Sequence, residues 1–236
     1  DSYRNEEIFL EIKNYRNGLR DGIPVALGYF AVSFAFGMEA ATKGLSILQA
    51  VLISLTNVTS AGQFSGLGII AAGGTYIEIA LTQLVINLRY CLMSFSLAQK
   101  LDRSASNWHR YLMAYSVTDE IFALDASLNT PLTPAYHYGI TSVAVPGWVL
   151  GTLVGAISGT LLPVFVISAL GVAIYGMFLA IIIPPARQDR TILLVVLSAM
   201  GLSLLFSILP LLKKVSSGFV IIITTVITVS YTHLTL

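Results

Sequence analysis

The chain reads as long apolar stretches separated by short polar ones. Eight stretches stand out: Gly22–Ala41, Leu45–Ala72, Tyr76–Leu97, Trp108–Leu128, Ile140–Leu162, Val164–Ile183, Thr191–Leu209 and Ser216–Val229. Thr191–Leu209 holds no charged residue, and as a helix it is long enough to cross the ~30 Å hydrocarbon core of a bilayer. A membrane β-barrel would show ten-residue segments of alternating polarity, whereas these runs are continuous. The pattern therefore predicts an all-α, polytopic helical membrane protein with about 6–8 hydrophobic segments, at least one of them discontinuous or re-entrant. Pro184-Pro185 should end one helix, because proline cannot continue the hydrogen-bond ladder.

The start of the chain follows a different pattern. Nine of the 25 charged residues fall within the first 21. Ile8, Ile12, Tyr15 and Leu19 recur at the spacing of one helical face, and Lys13, Arg16 and Arg20 lie off it. Residues 1–20 thus predict an amphipathic helix in the membrane interface, followed by a single transmembrane transporter domain over 21–230. No short h-region with a small-residue cleavage site opens the chain, so no signal peptide is expected.

The second stretch breaks at its centre, at Asn57-Val58-Thr59-Ser60-Ala61-Gly62-Gln63. Such residues are poor helix interior and costly beside lipid. Irregular backbone at membrane depth is tolerated where it is buried or lines a cavity, as in the discontinuous helices of transporters. Leu45–Thr56 and Phe64–Ala72 would be the two halves. Asn57, Thr59, Ser60, Gly62 and Gln63 then offer amide, hydroxyl and backbone groups suited to a zwitterion; tight packing by small residues is the alternative.

Arg89 lies near the middle of Tyr76–Leu97. A charge at mid-bilayer costs roughly 2.5–3.5 kcal/mol on insertion scales, so it must face a partner, a cavity or a path. Asp119 and Glu120, in the weaker run Trp108–Leu128, are the candidate partners, and either could bind a proton instead. Gln83, Asn87, Tyr90 and Ser94 recur at i, i+4, i+7 and i+11 and form a polar stripe. Asn87 and Arg89 are about 200° apart around the helix and do not share a face. The stripe could line a pathway while Arg89 pairs with a carboxylate of another helix.

Composition narrows the class further. Of 236 residues, 56% are hydrophobic and only 11% charged, against about 25% charged in soluble domains. The net charge of +1, with no basic stretch interleaved with aromatics, gives no sign of nucleic-acid binding. Cys91, the single cysteine, excludes an internal disulfide and is expected as a buried, inert thiol. His109, His137 and His233 are scattered near segment ends and form no metal motif. No nucleophile elbow or phosphate loop appears, so neither an enzyme nor a cofactor is expected. Lysine and arginine place the N-terminus in the cytoplasm. The cluster Lys100, Arg103 and Arg110 then lies inside only if the Asn57–Gln63 break makes a re-entrant hairpin.

These strings resemble the AzlC-type family of bacterial branched-chain amino-acid exporter permeases. The resemblance is carried by GIPVALGY at Gly22–Tyr29, AFG at Ala35–Gly37, KGLS at Lys43–Ser46, the stretch from Ser54 to Gln63-Phe64, NLRY at Asn87–Tyr90 and TDEIFAL at Thr118–Leu124. Where the family usually reads roughly V-F-A-G, this chain has Asn57-Val58-Thr59-Ser60, a more polar lining. The histidine that usually follows Asn-Leu-Arg is Tyr90 here, which removes a titrating group. The resemblance implies export of leucine, valine and isoleucine across the bacterial inner membrane, with a small AzlD-type membrane subunit as partner. The residues alone lead to a transporter of a small polar or zwitterionic solute, with a passive channel or a structural subunit of a membrane complex as alternatives.

Overall fold

The computed structural model describes residues 2–161, 165, 179, 183, 186–209, 215 and 217–235. The described residues form the helices α1 (Ser2–Thr42), α2 (Ile47–Thr56), α3 (Ser60–Ala71), α4 (Tyr76–Lys100), α5 (Asn107–Ala114), α6 (Asp119–Ser127), α7 (Pro134–Leu161), α8 (Arg190–Ile208) and α9 (Ser217–Thr235), with short turns between successive helices from α1 to α7. Among them, Ile8–Thr42, Tyr76–Lys100, Pro134–Gly159 and Arg190–Ile208 are long and apolar enough to cross a membrane. The protein is an all-α polytopic membrane protein. Most of Val164–Ile183, and the Pro184-Pro185 stop, lie outside the described residues.

The turns follow from local chemistry. Gly44 (φ 87°) and Gly73 (φ 69°) are the positive-φ residues that end α1 and α3. Leu45 N–H donates to Ala40 O and Gly74 N–H to Ile69 O, the six-to-one closure of a glycine-ended helix. Ser46 then starts α2 with a capping box to Gln49. Thr75 Oγ1 accepts from Glu78 N–H in the first turn of α4.

Contacts divide the chain into two compact units, Asp1–Ser60 with Leu88–Leu161, and Ala61–Asn87 with Leu162–Leu236. In the first unit, α1 and α7 run parallel and pack along most of their length. The α7 contact is a stripe of glycines four apart: Gly147 meets Ala26, Gly151 meets Phe30 and Ser33, Gly155 meets Phe34, and Gly159 meets Met38. Small residues let two backbones approach, which drives helix association where lipid supplies no hydrophobic force. α2 packs on both α1 and α7, joined by a buried hydrogen bond of 2.6 Å between Ser54 and Thr152. In the second unit α3 and the first half of α4 form a hairpin, and α8 packs on α9.

Several expectations change here. α1 is unbroken from Ser2 to Thr42, so the amphipathic start and the first apolar stretch are one helix. The face that packs on α7 is the Tyr15 backbone, Gly18 and Gly22, while Ile8 and Ile12 stay exposed, because close backbone approach outweighs apolar area there. Irregular backbone in the second stretch is confined to Asn57–Thr59, and Ser60–Gln63 already belongs to α3. Gly62 and Gln63 are buried by protein, which removes the cost of facing lipid that disfavoured helix there. Cys91 is exposed rather than buried, since little of α4 is covered within the molecule.

Candidate functional site

Two apolar stretches are each divided into two short helices. α2 and α3 have 10 and 12 residues, and α5 and α6 have 8 and 9. At 1.5 Å per residue these run roughly 12–18 Å, about half a bilayer. The first break is Asn57-Val58-Thr59 and the second contains Ser116-Val117-Thr118. Both place a polar residue, a valine and a threonine before a new helix. Val58 and Val117 belong to one buried cluster with Tyr29, Ile121 and Trp148. The Tyr115 hydroxyl, at the end of α5, donates to the Leu55 carbonyl near the end of α2. The first unit thus brings both breaks together.

The start of α6 is built around the second break. Thr118 is its N-cap and accepts from Ile121 N–H. Asp119 and Glu120 occupy the first turn, where the helix dipole favours negative charge. Arg89 reaches Asp119, with Nη2 2.8 Å from Oδ2. Its guanidinium also stacks 5.0 Å from the centre of the Tyr90 ring, with the Tyr90 hydroxyl at 3.4 Å. Glu120 turns elsewhere: its Oε2 accepts from the Tyr29 hydroxyl at 2.9 Å, and that hydroxyl also touches Thr118. Tyr29 is held edge-on against Trp148, with centroids 5.3 Å apart.

The other end of α6 is bound to the same partner helix. Lys100 Nζ donates to Leu128 O at 2.6 Å and to Ala126 O. From Arg89 to Lys100 α4 rises roughly 16 Å, close to the length of α6. An acid at the positive end and a lysine at the negative end therefore clamp α6 along the second half of α4.

In the second unit, the Gln83 side-chain N–H donates to Gly62 O at 2.7 Å, and Asn87 donates to Gln83 Oε1 at 3.0 Å. The polar stripe of α4 thus meets the first turn of α3. Gln63 is buried in the same hairpin, as are the Ser65 and Thr82 hydroxyls, which have no hydrogen-bond partner. Of the stripe residues expected with them, Tyr90 goes to Arg89, and Ser94 lines a small cavity with Leu97, Arg110 and Met113. Thr59 is buried, Ser60 half-buried and Asn57 exposed, with its amide donating to Thr56 Oγ1 at 3.2 Å.

Sequence reasoning missed Tyr29, Ser116, Asp125 and His137. Tyr29 lies in an apolar helix and carried no polar pattern. Asp125 and His137 had a usable signal, a titratable residue in or beside an apolar run, but no spacing rule pairs them. Tyr29→Phe is expected to lower stability by about 1 kcal/mol, because Glu120 loses its donor. Thermal unfolding in detergent measures this, and an unchanged midpoint would show that Tyr29 does not hold the start of α6.

A profile of the AzlC protein family matches residues 24–162, a span that includes both breaks, Arg89 and the Thr118–Glu120 turn. The inner membrane protein YgaZ of Escherichia coli strain K12 is 29% identical over 185 residues, covering 75% of this chain and 76% of that protein. An uncharacterized membrane protein of Archaeoglobus fulgidus is 30% identical over 172 residues, covering 72% of this chain and 75% of its own. No solved structure matches. On the extent of the matched region and the identity of these relatives, the chain belongs to the AzlC protein family and is a membrane protein.

Proposed function

We propose that this chain is the large permease subunit of a secondary transporter that exports branched-chain amino acids across the bacterial cytoplasmic membrane. Export is driven by the proton gradient, and a small AzlD-type membrane protein is its partner. The observation that carries the reading is the adjacency of two helix breaks, joined by Tyr115 and Leu55 and sharing the Val58/Val117 core.

Helix ends at membrane depth are where transporters bind small charged solutes. The last carbonyls of α2 form a negative end suited to an ammonium group. At the second break, Asp119 and Glu120 against Arg89 leave one net negative charge, which also favours an ammonium. The first turn of α3 carries no acid, so its N–H groups suit a carboxylate. In the second unit, Gln83 and Asn87 add amides beside the first turn of α3.

Labelled leucine should enter inverted vesicles saturably and only with a proton gradient when the small partner is co-expressed. Gln83→Leu should cut that uptake at least tenfold at unchanged protein level, because Gly62 O loses its donor and the first turn of α3 loses its tie to α4. A non-saturable flux indifferent to the gradient would mean a passive channel. No leucine flux from inserted protein would overturn the substrate class.

A further inference from the structure

A second polar chain runs through the first unit, away from Arg89. Asp125 of α6 and His137 of α7 are both fully buried, with His137 Nδ1 2.6 Å from Asp125 Oδ2. On its other side His137 Nε2 is 2.8 Å from Ser116 Oγ, and Ser116 Oγ is 2.9 Å from Thr141 Oγ1. Ser116 is buried within the second helix break, and Thr141 is only half-buried. Asp125 Oδ1 has no hydrogen-bond partner. Four groups thus form an unbroken relay from a partly exposed hydroxyl to a buried carboxylate. We propose that Asp125 and His137 are the proton-binding site of this protein, loaded through Thr141 and Ser116.

Burial fixes the resting charge. A carboxylate beside a neutral imidazole would leave one uncompensated charge in the interior, which is costly. One added proton makes the pair neutral overall. In that state Nδ1–H donates to Asp125, Nε2–H donates to Ser116, and the Ser116 hydroxyl donates to Thr141. In the unloaded state the hydroxyls point the other way: Thr141 donates to Ser116 and Ser116 to Nε2. Loading takes one proton from hydronium at Thr141, which leaves water; Thr141 passes its own proton to Ser116, and Ser116 passes its own to Nε2. Each hydroxyl ends with one proton, so the balance closes with no other reactant.

Release is the gated step. Unloading would leave a buried carboxylate with no compensating charge. The proton therefore leaves only when packing around α6 changes, and Ser116 ties the relay to a break whose rearrangement would accompany transport. The other titratable or charged groups that the surrounding elements bring toward the pair are few. Asp21 of α1 accepts from Tyr136 of α7 at 2.9 Å. His109 of α5 bonds Tyr138, whose ring lies 6.1 Å from that of His137. Lys100 of α4 binds the carbonyls just after Asp125. Coupling to transport rests on the export reading above; the protonation site does not.

Nitrogen-15 NMR of histidine-labelled protein tests the site directly, since the chain has 3 histidines and His137→Gln identifies the signal. The His137 signals are expected to show Nδ1 hydrogen-bonded to a carboxylate in the wild type and to lose that signature in Asp125→Asn at the same pH. A wild-type His137 whose Nδ1 carries no carboxylate hydrogen bond, or one unaffected by Asp125→Asn, would overturn the proposal. In vesicles, Asp125→Asn and Ser116→Ala should each reduce gradient-driven leucine flux at least tenfold while leucine–leucine exchange stays within twofold. Equal loss of both fluxes in Ser116→Ala, at normal protein level and with the wild-type NMR signature, would refute the coupling role. Absence of leucine flux in the wild type would sink the export reading, while the NMR result would still decide the site.

Discussion

Arg89→Leu should abolish transport, and Asp119→Leu should do nearly the same. The two groups lie 2.8 Å apart, and about half of each side chain is left uncovered by protein. Removing Arg89 leaves Asp119 at membrane depth with its main counter-charge gone. A central charge costs roughly 2.5–3.5 kcal/mol on insertion scales, a large fraction of the stability of a typical domain. Each single variant should therefore lose folded yield as well as flux. The Arg89→Leu/Asp119→Leu double variant removes both charges and should regain folded yield, because an ion pair is readily replaced by apolar groups. It should not regain flux, since the second break then lacks its charge pattern. Size-exclusion profiles in detergent report yield, and leucine uptake into vesicles reports flux. Unchanged export and yield in Arg89→Leu would remove the pair from both mechanism and fold.

Gly155→Val should be the most damaging substitution in the helix pair at the centre of the first unit. A side chain there would fall on the backbone carbonyl of Phe34, well inside contact distance, and on Phe34 C and Cα as well. Backbone cannot swing aside as a flexible side chain can, so α1 and α7 must separate. The cost should be roughly 3 kcal/mol or more, the upper range for overpacking. Gly28→Ala is the matched control. A Cβ at Gly28 meets nothing within 4 Å, and alanine is the better helix former by up to about 1 kcal/mol. Thermal unfolding of the two variants should move in opposite directions, or fall for Gly155→Val alone. A melting point for Gly155→Val equal to wild type would show that the close approach of α1 and α7 is dispensable.

Much of the local structure could be read along the chain. Among the described residues, the four helices long enough to span correspond to apolar stretches visible in the sequence, with Arg190–Ile208 matching Thr191–Leu209 to within one residue. The helix ends at Gly44 and Gly73 and the start at Ser46 are local too, because their preferences act over three or four residues. The break after Thr56 announced itself by an unfavourable run of Asn, Thr and Ser. The break at Ser116–Thr118 was hidden, because Trp108–Leu128 reads as one mediocre segment. A single serine and threonine do not stand out from such a background. The small-residue stripe of α7 was present in the spacing of Gly147, Gly151, Gly155 and Gly159. Its partner face on α1 was not, because apolar area pointed to Ile8 and Ile12 instead.

What the sequence determined by itself was the solvent of the fold and the demand for polar partners within it. Hydropathy summed over twenty residues is a property of the chain, and Arg89 in such a run requires compensation wherever the rest of the chain goes. Tertiary structure decided who meets whom. Asp119 and Glu120 are adjacent and chemically alike, yet one faces Arg89 and the other Tyr29, because successive residues of a helix point about 100° apart. Asp125 and His137 sit on different helices, and only the packing of α6 on α7 buries them against one another. Local preference carries information over one or two turns; a buried polar contact between helices depends on how whole elements stack, and that is settled only when the backbones pack.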